Sequence, residues 1–273
     1  ICGFDLNYQL PIINSQLLLN EVVSILARLL TELCDLIYPE FPKCPVCGKE
    51  FEADEVKLCA KCIAKINFVY EDYCDKCGKV VAENKELCVD CGRYERYFTT
   101  ARAVGVYNEG LKEYIKLFKY HNQRQLAESL AQLMIVYIER FYDLQEFDLI
   151  TYIPLHKSRL QERGFNQAYL LAKEIANYFN VPLGTLLMRE QATIKQSKLS
   201  KLARKKNLEE QFKVVNAKKV RSKNILLIDD IYTTGTTVNQ ASKILIDSVA
   251  NKVKIITLAT GKDLNLNKEN DEL

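Results

Sequence analysis

The segment Ile-Leu-Leu-Ile-Asp-Asp-Ile-Tyr-Thr-Thr-Gly-Thr-Thr, residues 225–237, constrains the fold more than any other stretch of this chain. Ile225 to Ile228 read as a strand buried on both faces, the habit of parallel sheets. Asp229 and Asp230 follow at the strand's C-terminal end, and hydroxyls around one glycine then lead into a helix. In open α/β sheets, ligands bind outside the carboxyl ends of strands. A helix N-terminus presents N–H groups with no partner inside the helix, and these suit phosphate. Thr233, Thr234, Thr236 and Thr237 add hydroxyl donors, and Gly235 permits a tight turn and close approach of a ligand. Two adjacent carboxylates would repel phosphate, so Asp229 and Asp230 point instead to sugar hydroxyls or a hydrated Mg²⁺.

The cysteines impose a second constraint. Eight of the ten fall in four Cys-x-x-Cys pairs: Cys44/Cys47, Cys59/Cys62, Cys74/Cys77 and Cys88/Cys91. That spacing suits tetrahedral Zn²⁺ held between two thiolate knuckles. A thioredoxin-like redox site needs one such pair rather than four, and no secretion signal argues for an oxidising compartment, so a cytoplasmic setting is expected. Cys-Pro-Val-Cys-Gly at 44–48 is echoed by Cys-Asp-Lys-Cys-Gly at 74–78, and Cys-Ala-Lys-Cys at 59–62 by Cys-Val-Asp-Cys at 88–91. Residues 43–98 thus read as a double zinc ribbon. Gly48 and Gly78 stand where a knuckle needs a positive φ. Ribbons this small bury too little surface to fold without metal. One zinc on Cys44, Cys47, Cys59 and Cys62 and another on Cys74, Cys77, Cys88 and Cys91 is the expected pairing. An interleaved pairing, and one zinc rather than two, stay open on sequence alone. Cys2 and Cys34 fall outside the pattern.

Around these motifs the chain divides into four parts. Leu18, Val22, Ile25, Leu26, Leu29, Leu33 and Leu36 recur at helical steps, giving an amphipathic helix within an N-terminal segment, 1–42, that Pro39 and Pro42 close. The ribbons follow. Strand and helix patterns then alternate over 99–262: strands at 101–107, 147–153, 184–188 and 253–258 besides the one at 225, and helices at 111–118, 126–141 and 168–179, with Val238, Ala241, Leu245 and Val249 on one face of another. A charged tail, 263–273, is expected to fray, starting at Lys262. No run is long and apolar enough to span a membrane. A net charge of +3 is too small to argue for nucleic acid by itself.

The order strand, Asp-Asp, two residues, Thr-Gly-Thr-Thr resembles the phosphoribosyl-pyrophosphate (PRPP) loop of type I phosphoribosyltransferases. The resemblance implies a parallel sheet with helices on both faces. It implies Asp229 and Asp230 as ligands of the ribose and Mg²⁺, and Thr233, Thr234, Gly235, Thr236 and Thr237 as the cradle of the 5′-phosphate. The pyrophosphate of PRPP needs a second anion pocket. Ile153-Pro-Leu-His-Lys157, Arg159 and Arg163-Gly-Phe-Asn-Gln167 again follow a strand's C-terminal end. Leu155, His156 and Lys157 would offer a turn of N–H groups, and Arg159 and Arg163 bidentate donors. Each also fits a solvated strand–helix connection. Ribbons, Ile-Pro-Leu-His, Arg-Gly-Phe-Asn-Gln and the PRPP loop together resemble the ComF family of competence-associated proteins, over roughly 36–262. Lys116, Lys119 and Tyr120, and the stretch from Gln196 to Phe212, fit the same pattern. That resemblance implies DNA uptake and natural transformation, single-stranded DNA contact, and helicase-like and recombination-mediator partners.

Arg189, Lys195, Lys198, Lys201, Arg204, Lys205 and Lys206 face one acid, Glu190. This stretch reads equally as a lid over PRPP, a track for a nucleic-acid backbone, or a solvated loop. No nucleobase pocket declares itself, so the catalytic residues and the acceptor are unknown. Two functions therefore stand side by side. One is a phosphoribosyltransferase of nucleobase salvage that passes ribose to a nitrogen nucleophile. The other is a non-catalytic binder of DNA and partner proteins.

Overall fold

The apolar runs assemble into one parallel sheet. The computed structural model describes residues 23–25, 28, 42–51, 56–120, 123–189 and 212–263. Two compact units divide the chain, 1–42 and 43–273. In the first, residues 23–25 and 28 are helical and exposed; the rest of the amphipathic helix, and the basic residues Lys195, Lys198, Lys201, Arg204, Lys205 and Lys206, lie outside the described residues.

In the second unit, the elements run α1 (Ala60–Ile63), α2 (Val89–Arg93), β1 (Ala101–Val106), α3 (Glu109–Tyr120), α4 (Leu126–Phe141), β2 (Leu149–Tyr152), α5 (Lys157–Arg163), α6 (Gln167–Phe179), β3 (Leu187–Arg189), β4 (Phe212–Val214), α7 (Ala217–Val220), β5 (Asn224–Tyr232), α8 (Thr236–Asp247) and β6 (Lys252–Thr260). The sheet order is β1-β6-β5-β2, and every pairing in it is parallel. Among the described residues, no helix is long and apolar enough to cross a membrane.

Side chains of β5 and β6 alternate between two cores, as the pleat requires. Leu226, Ile228, Ile256 and Leu258 pack with the apolar stripes of α3, α4 and α6. Ile225, Leu227, Val253 and Ile255 pack with Val238, Ala241 and Leu245 of α8. The helices therefore cover both faces. Cys44, Cys59 and Cys62 of the first ribbon join the first core, while Cys74, Cys77 and Cys88 of the second join the other.

Four expectations need correction. The acid pair does not follow β5; it lies inside it. Pairing of β5 with β2 stops at Ile228↔Tyr152, whereas pairing with β6 continues to Tyr232↔Thr260. Backbone hydrogen bonds from β6 keep the acids extended, and the ladder to β2 ends because the next pair is engaged elsewhere: Ile153 O accepts from Asn166 Nδ2 at 3.0 Å, and Asp230 N–H donates to Asp229 Oδ1 at 2.9 Å. The short strand expected at 184–188 is Leu187–Arg189, and it pairs antiparallel with Phe212–Val214 rather than joining the main sheet. Val249 is exposed with φ of 69°, beyond the end of α8. Lys262 and Asp263 are anchored: Lys262 bridges to Val80, the Asp263 N–H donates to Val80 O at 2.9 Å, and Val89 N–H donates to the Asp263 carboxylate at 3.2 Å. That carboxylate meets an N–H at the start of α2, where a helix has donors to spare.

The first ribbon closes the outer edge of β1. Val69 N–H donates to Val104 O at 3.0 Å, and Val106 N–H to Asn67 O at 2.8 Å, which covers an edge otherwise open to strand addition. Tyr114 of α3 donates its hydroxyl to Cys62 O at 2.7 Å. At Gly110 a Cβ would overlap the Lys65 carbonyl oxygen and lie 2.9 Å from its carbon. Gly110→Ala would gain about 1 kcal/mol of helix propensity, but overpacking against backbone costs about 1–3 kcal/mol. The expected result is a net loss of stability, read as a lower denaturant midpoint at unchanged m-value; a gain would show that the ribbon yields.

Candidate functional site

Where β5 outruns β2, the sheet edge opens beside Asp229 and Asp230. The Asp230 N–H donates to Asp229 Oδ1 at 2.9 Å, and the Asp230 carboxylate pairs with Lys119 Nζ of α3 at 2.6 Å. Burial pushes the Asp229 carboxyl up to about 8; the charge of Asp230 adds to the push, and Lys119 and Arg189 oppose it. Two carboxylates this close do not both ionise readily without further positive charge.

The chain then turns sharply into α8. Gly235 has φ of 74° and forms the N-cap, with no side-chain cap bond. A Cβ here would overlap the Tyr232 hydroxyl and ring, so both conformation and space require glycine. Thr234 and Thr236 hydroxyls bond each other at 2.8 Å. The first turn of α8 thus presents N–H donors in a cradle of hydroxyls, as an anion site needs.

The facing wall comes from the chain after β2. What sequence suggested as a loop at 155–157 is the entry to a helix. His156 is its N-cap: Ser158 N–H donates to His156 Nδ1 at 3.2 Å, and the Ser158 hydroxyl lies 2.8 Å from the same nitrogen. Accepting the backbone N–H places the ring proton of a neutral His156 on Nε2. Arg163 ends α5, with its guanidinium 5.3 Å from the Tyr120 ring centre and Nη1 donating to Gln167 Oε1 at 3.1 Å. Asn166 ties this wall to the sheet: Nδ2 donates to Ile153 O at 3.0 Å, and Oδ1 accepts from Tyr169 N–H at 3.3 Å. Gln167 is 1% exposed, yet its Nε2, like Arg163 Nε, has no hydrogen-bond partner among the described residues. Buried donors left so are costly and point to a ligand.

The two walls enclose a cavity of about 460 Å³. Of the residues expected to bind PRPP, Leu155, His156, Arg159, Arg163, Asp229, Asp230, Thr233 and Thr237 line it; Lys157, Thr234, Gly235 and Thr236 do not. Sequence reasoning missed Ser158, Asn166 and Gln167 as lining residues, although Asn166 and Gln167 sat in the Arg-Gly-Phe-Asn-Gln signature. It placed Lys119 and Arg189 in basic patches, but both line the cavity. Arg189 ends β3; burial draws its guanidinium below the ordinary value, against the pull of Asp229. Its guanidinium lies 5.3 Å from the Phe212 ring centre.

The eight paired cysteines form two groups, Cys44-Cys47-Cys59-Cys62 and Cys74-Cys77-Cys88-Cys91, with the sulfurs of each within 4.8 Å of one another. The local pairing is therefore the one present. Zn–S bonds of about 2.3 Å in a tetrahedron put sulfurs roughly 3.8 Å apart, and Cys47–Cys59 at 3.6 Å and Cys77–Cys88 at 3.5 Å fit. Gly48 N–H and Gly78 N–H donate to Cys44 O and Cys74 O, both at 2.8 Å, with φ of 70° and 71°. Burial pushes the Cys62 thiol up, and neighbouring sulfurs push it further. Cys44 feels burial in the same sense, yet backbone N–H groups of Cys59, Cys47 and Val46 draw it down to about 7. A cation replacing the shared protons relieves both groups.

Residues 33–92 match the double zinc ribbon domain, and residues 166–273 the phosphoribosyl transferase domain. The chain is 29% identical over 208 residues to Competence protein F of Haemophilus influenzae, covering 74% of this chain and 90% of that one. It is 29% identical over 221 residues to Competence protein ComFC of Bacillus subtilis, covering 75% and 88%. With DNA utilization protein YhgH of Escherichia coli the identity is 26% over 220 residues, covering 72% and 94%.

Two complete thiolate sets predict two zinc ions per folded chain by elemental analysis after gel filtration. Cys74→Ser with Cys77→Ser should lower the count to one, and a folded, zinc-free wild type would refute both centres.

Proposed function

We propose that this chain, which belongs with the ComF-type proteins as a double zinc ribbon joined to a phosphoribosyltransferase domain, binds PRPP with Mg²⁺ in the cavity beside β5. One observation carries the reading: one cavity holds an acid pair between the threonines and helix start of α8 on one side and the arginines of α5 on the other. Lys119, Arg159, Arg163 and Arg189 line it against Asp229 and Asp230, so cations outnumber carboxylates. A simple phosphate site gains nothing from two acids, whereas a sugar bearing phosphates at both ends needs both signs.

In this reading Asp229 and Asp230 take the ribose hydroxyls and the metal. Thr233, Thr237 and the first-turn N–H groups of α8 hold the 5′-phosphate, with Thr234, Gly235 and Thr236 shaping the turn. Arg159, Arg163 and the α5 entry at Leu155, His156 and Lys157 hold the pyrophosphate. Gln167 Nε2 and Arg163 Nε gain the partners they lack. Mg²⁺, when bound, supplies charge neutralisation on the pyrophosphate oxygens. The same placement would serve transfer to a nitrogen nucleophile, since orientation and stabilisation of the leaving group supply most of what such a reaction needs.

The names of the relatives, competence protein and DNA utilization protein, support a role in DNA uptake and use. Contact with single-stranded DNA through the basic run Lys195–Lys206, helicase-like and recombination-mediator partners, and a cytoplasmic setting belong to this reading.

Calorimetric titration of PRPP with Mg²⁺ tests the site. The wild type should bind, and Asp229→Asn with Asp230→Asn should abolish binding; equal binding by both proteins would overturn the assignment. The raised Asp229 carboxyl adds a signed expectation. Ribose hydroxyls and Mg²⁺ favour the ionised form, so binding releases a proton and tightens as pH rises from 7 towards 9, by at most about tenfold per pH unit for one proton. Calorimetry in buffers of different ionisation enthalpy counts that proton, and Asp229→Asn should remove it. For DNA, alanine at Lys201, Arg204, Lys205 and Lys206 should weaken single-strand binding and flatten its salt dependence by about 0.7 per lost phosphate contact. Unchanged affinity removes the run from the interface.

A further inference from the structure

The two zinc centres are not equivalent in their relation to the cavity. The first packs with α3 and α4 on one face of the sheet. The second lies on the opposite face with Phe98, Tyr232 and Val238, directly behind the turn that opens α8. Tyr232, the last residue of β5, is 1% exposed. Its ring meets Phe98 edge to face at 6.2 Å. Gly235 lies against the hydroxyl end of that ring, so closely that any side chain at 235 would overlap it. Tyr232 is thus the floor of the phosphate turn.

What lies beneath this floor is the second centre. The Tyr232 hydroxyl is buried against the second centre, with the Cys77 sulfur as the acceptor within its reach. Cys77 and Cys91 of that centre and the Arg96 guanidinium are its neighbours, and Arg96 also stands beside Cys91. Four thiolates around one divalent cation keep a net negative charge, which makes a sulfur a good acceptor for that hydroxyl and for Arg96.

A second set of bonds ties the same two parts together. Tyr97 N–H donates to Asn239 Oδ1 at 2.9 Å, and Asn239 Nδ2 donates to Glu95 O at 3.2 Å. Asn239 lies one turn into α8, and residues 95–98 follow shortly after Cys91, the last ligand. The N-terminus of α8 is therefore clamped to the segment leaving the second ribbon, from below by Tyr232 and from the side by Asn239.

We infer that Tyr232 is a positioning residue that seats the phosphate turn on the second zinc centre, so that the geometry of residues 233–237 depends on the metal at Cys74, Cys77, Cys88 and Cys91 and not on the metal at the first centre. The consequence for ligand binding rests on the assignment of that turn to the 5′-phosphate; the mechanical coupling does not. Removing the second zinc loosens the floor, and the donors of the turn lose their fixed directions.

The test is hydrogen exchange by mass spectrometry on the full-length, zinc-loaded protein, read on peptides covering 233–239. Tyr232→Phe keeps the ring beneath Gly235 and deletes the hydroxyl. It should speed exchange there about tenfold, at unchanged zinc content, the low end of the range for removing an outer-shell partner. Cys74→Ser with Cys77→Ser should speed it further, and Cys44→Ser with Cys47→Ser should leave it alone. Unchanged exchange in Tyr232→Phe, or equal effects of the two cysteine pairs, would overturn the inference. Since exchange requires no ligand, a wild type that fails to bind PRPP refutes the phosphate assignment by itself. If the wild type does bind, Tyr232→Phe should weaken its affinity about tenfold.

Discussion

Strand β5 keeps its hydrogen bonds to β6 as far as Tyr232, well after β2 has ended at Tyr152, and the cavity exists because of that mismatch. A partner strand running beside Asp229 and Asp230 would fill the space that the ligand needs. Asn166 occupies the Ile153 carbonyl that such a strand would use, and the chain turns away into α5, whose Arg159 and Arg163 become the opposite wall. One interrupted ladder thus creates both the opening and the groups that face it. It also sets the electrostatics, since the extended backbone holds the acids side by side at the half-buried end of the sheet, where burial works against ionising Asp229.

The ribbons extend this architecture. They are not beads attached to a finished domain, because their cysteines are members of the two cores on either side of the sheet. A structural zinc contributes about 10–16 kcal/mol of apparent binding free energy at neutral pH, and a whole domain is stable by only about 5–15 kcal/mol. Losing a metal here therefore loosens the core in which its own cysteines are packed. The loss would reach the sheet through Cys62 and Tyr114 on one face and through Cys77 and Tyr232 on the other.

The parts of the site legible in sequence were those whose chemistry is confined to a few consecutive residues. The acid pair and the Thr-Gly-Thr-Thr turn, and the cysteine knuckles, declare themselves because local geometry dictates local composition. Lys119 and Arg189 did not, because each reaches the cavity from an element remote in sequence, and nothing near either residue encodes the arrival. His156 was expected in a turn of N–H groups, but it caps α5 through its Nδ1, a capping role that histidine shares with many other polar residues. The length of β5 was underestimated because charged residues were taken to end a buried strand. Pairing to β6 holds them in it, and a missing neighbour on the other side makes their charge tolerable. Lys262 and Asp263 were read as the start of a frayed tail because charge was taken as a sign of solvation; Asp263 is buried because it meets the N–H of Val89.

Lys119 deserves weight in any account of how the cavity receives a charged sugar. In the structure it neutralises Asp230, while burial favours the protonated form of Asp229. The acid pair is thus quiet in the absence of a ligand: one carboxylate is paired, and the other is held close to neutral. A metal–phosphate ligand changes both conditions at once. It brings a cation that competes with Lys119 for Asp230 and favours ionised Asp229, and it brings phosphate oxygens to which the displaced ammonium can turn. An anion alone offers the carboxylates nothing, and a cation alone offers nothing to the surrounding arginines. On the proposed reading the arrangement favours a ligand that carries both signs, through an exchange of partners by one lysine.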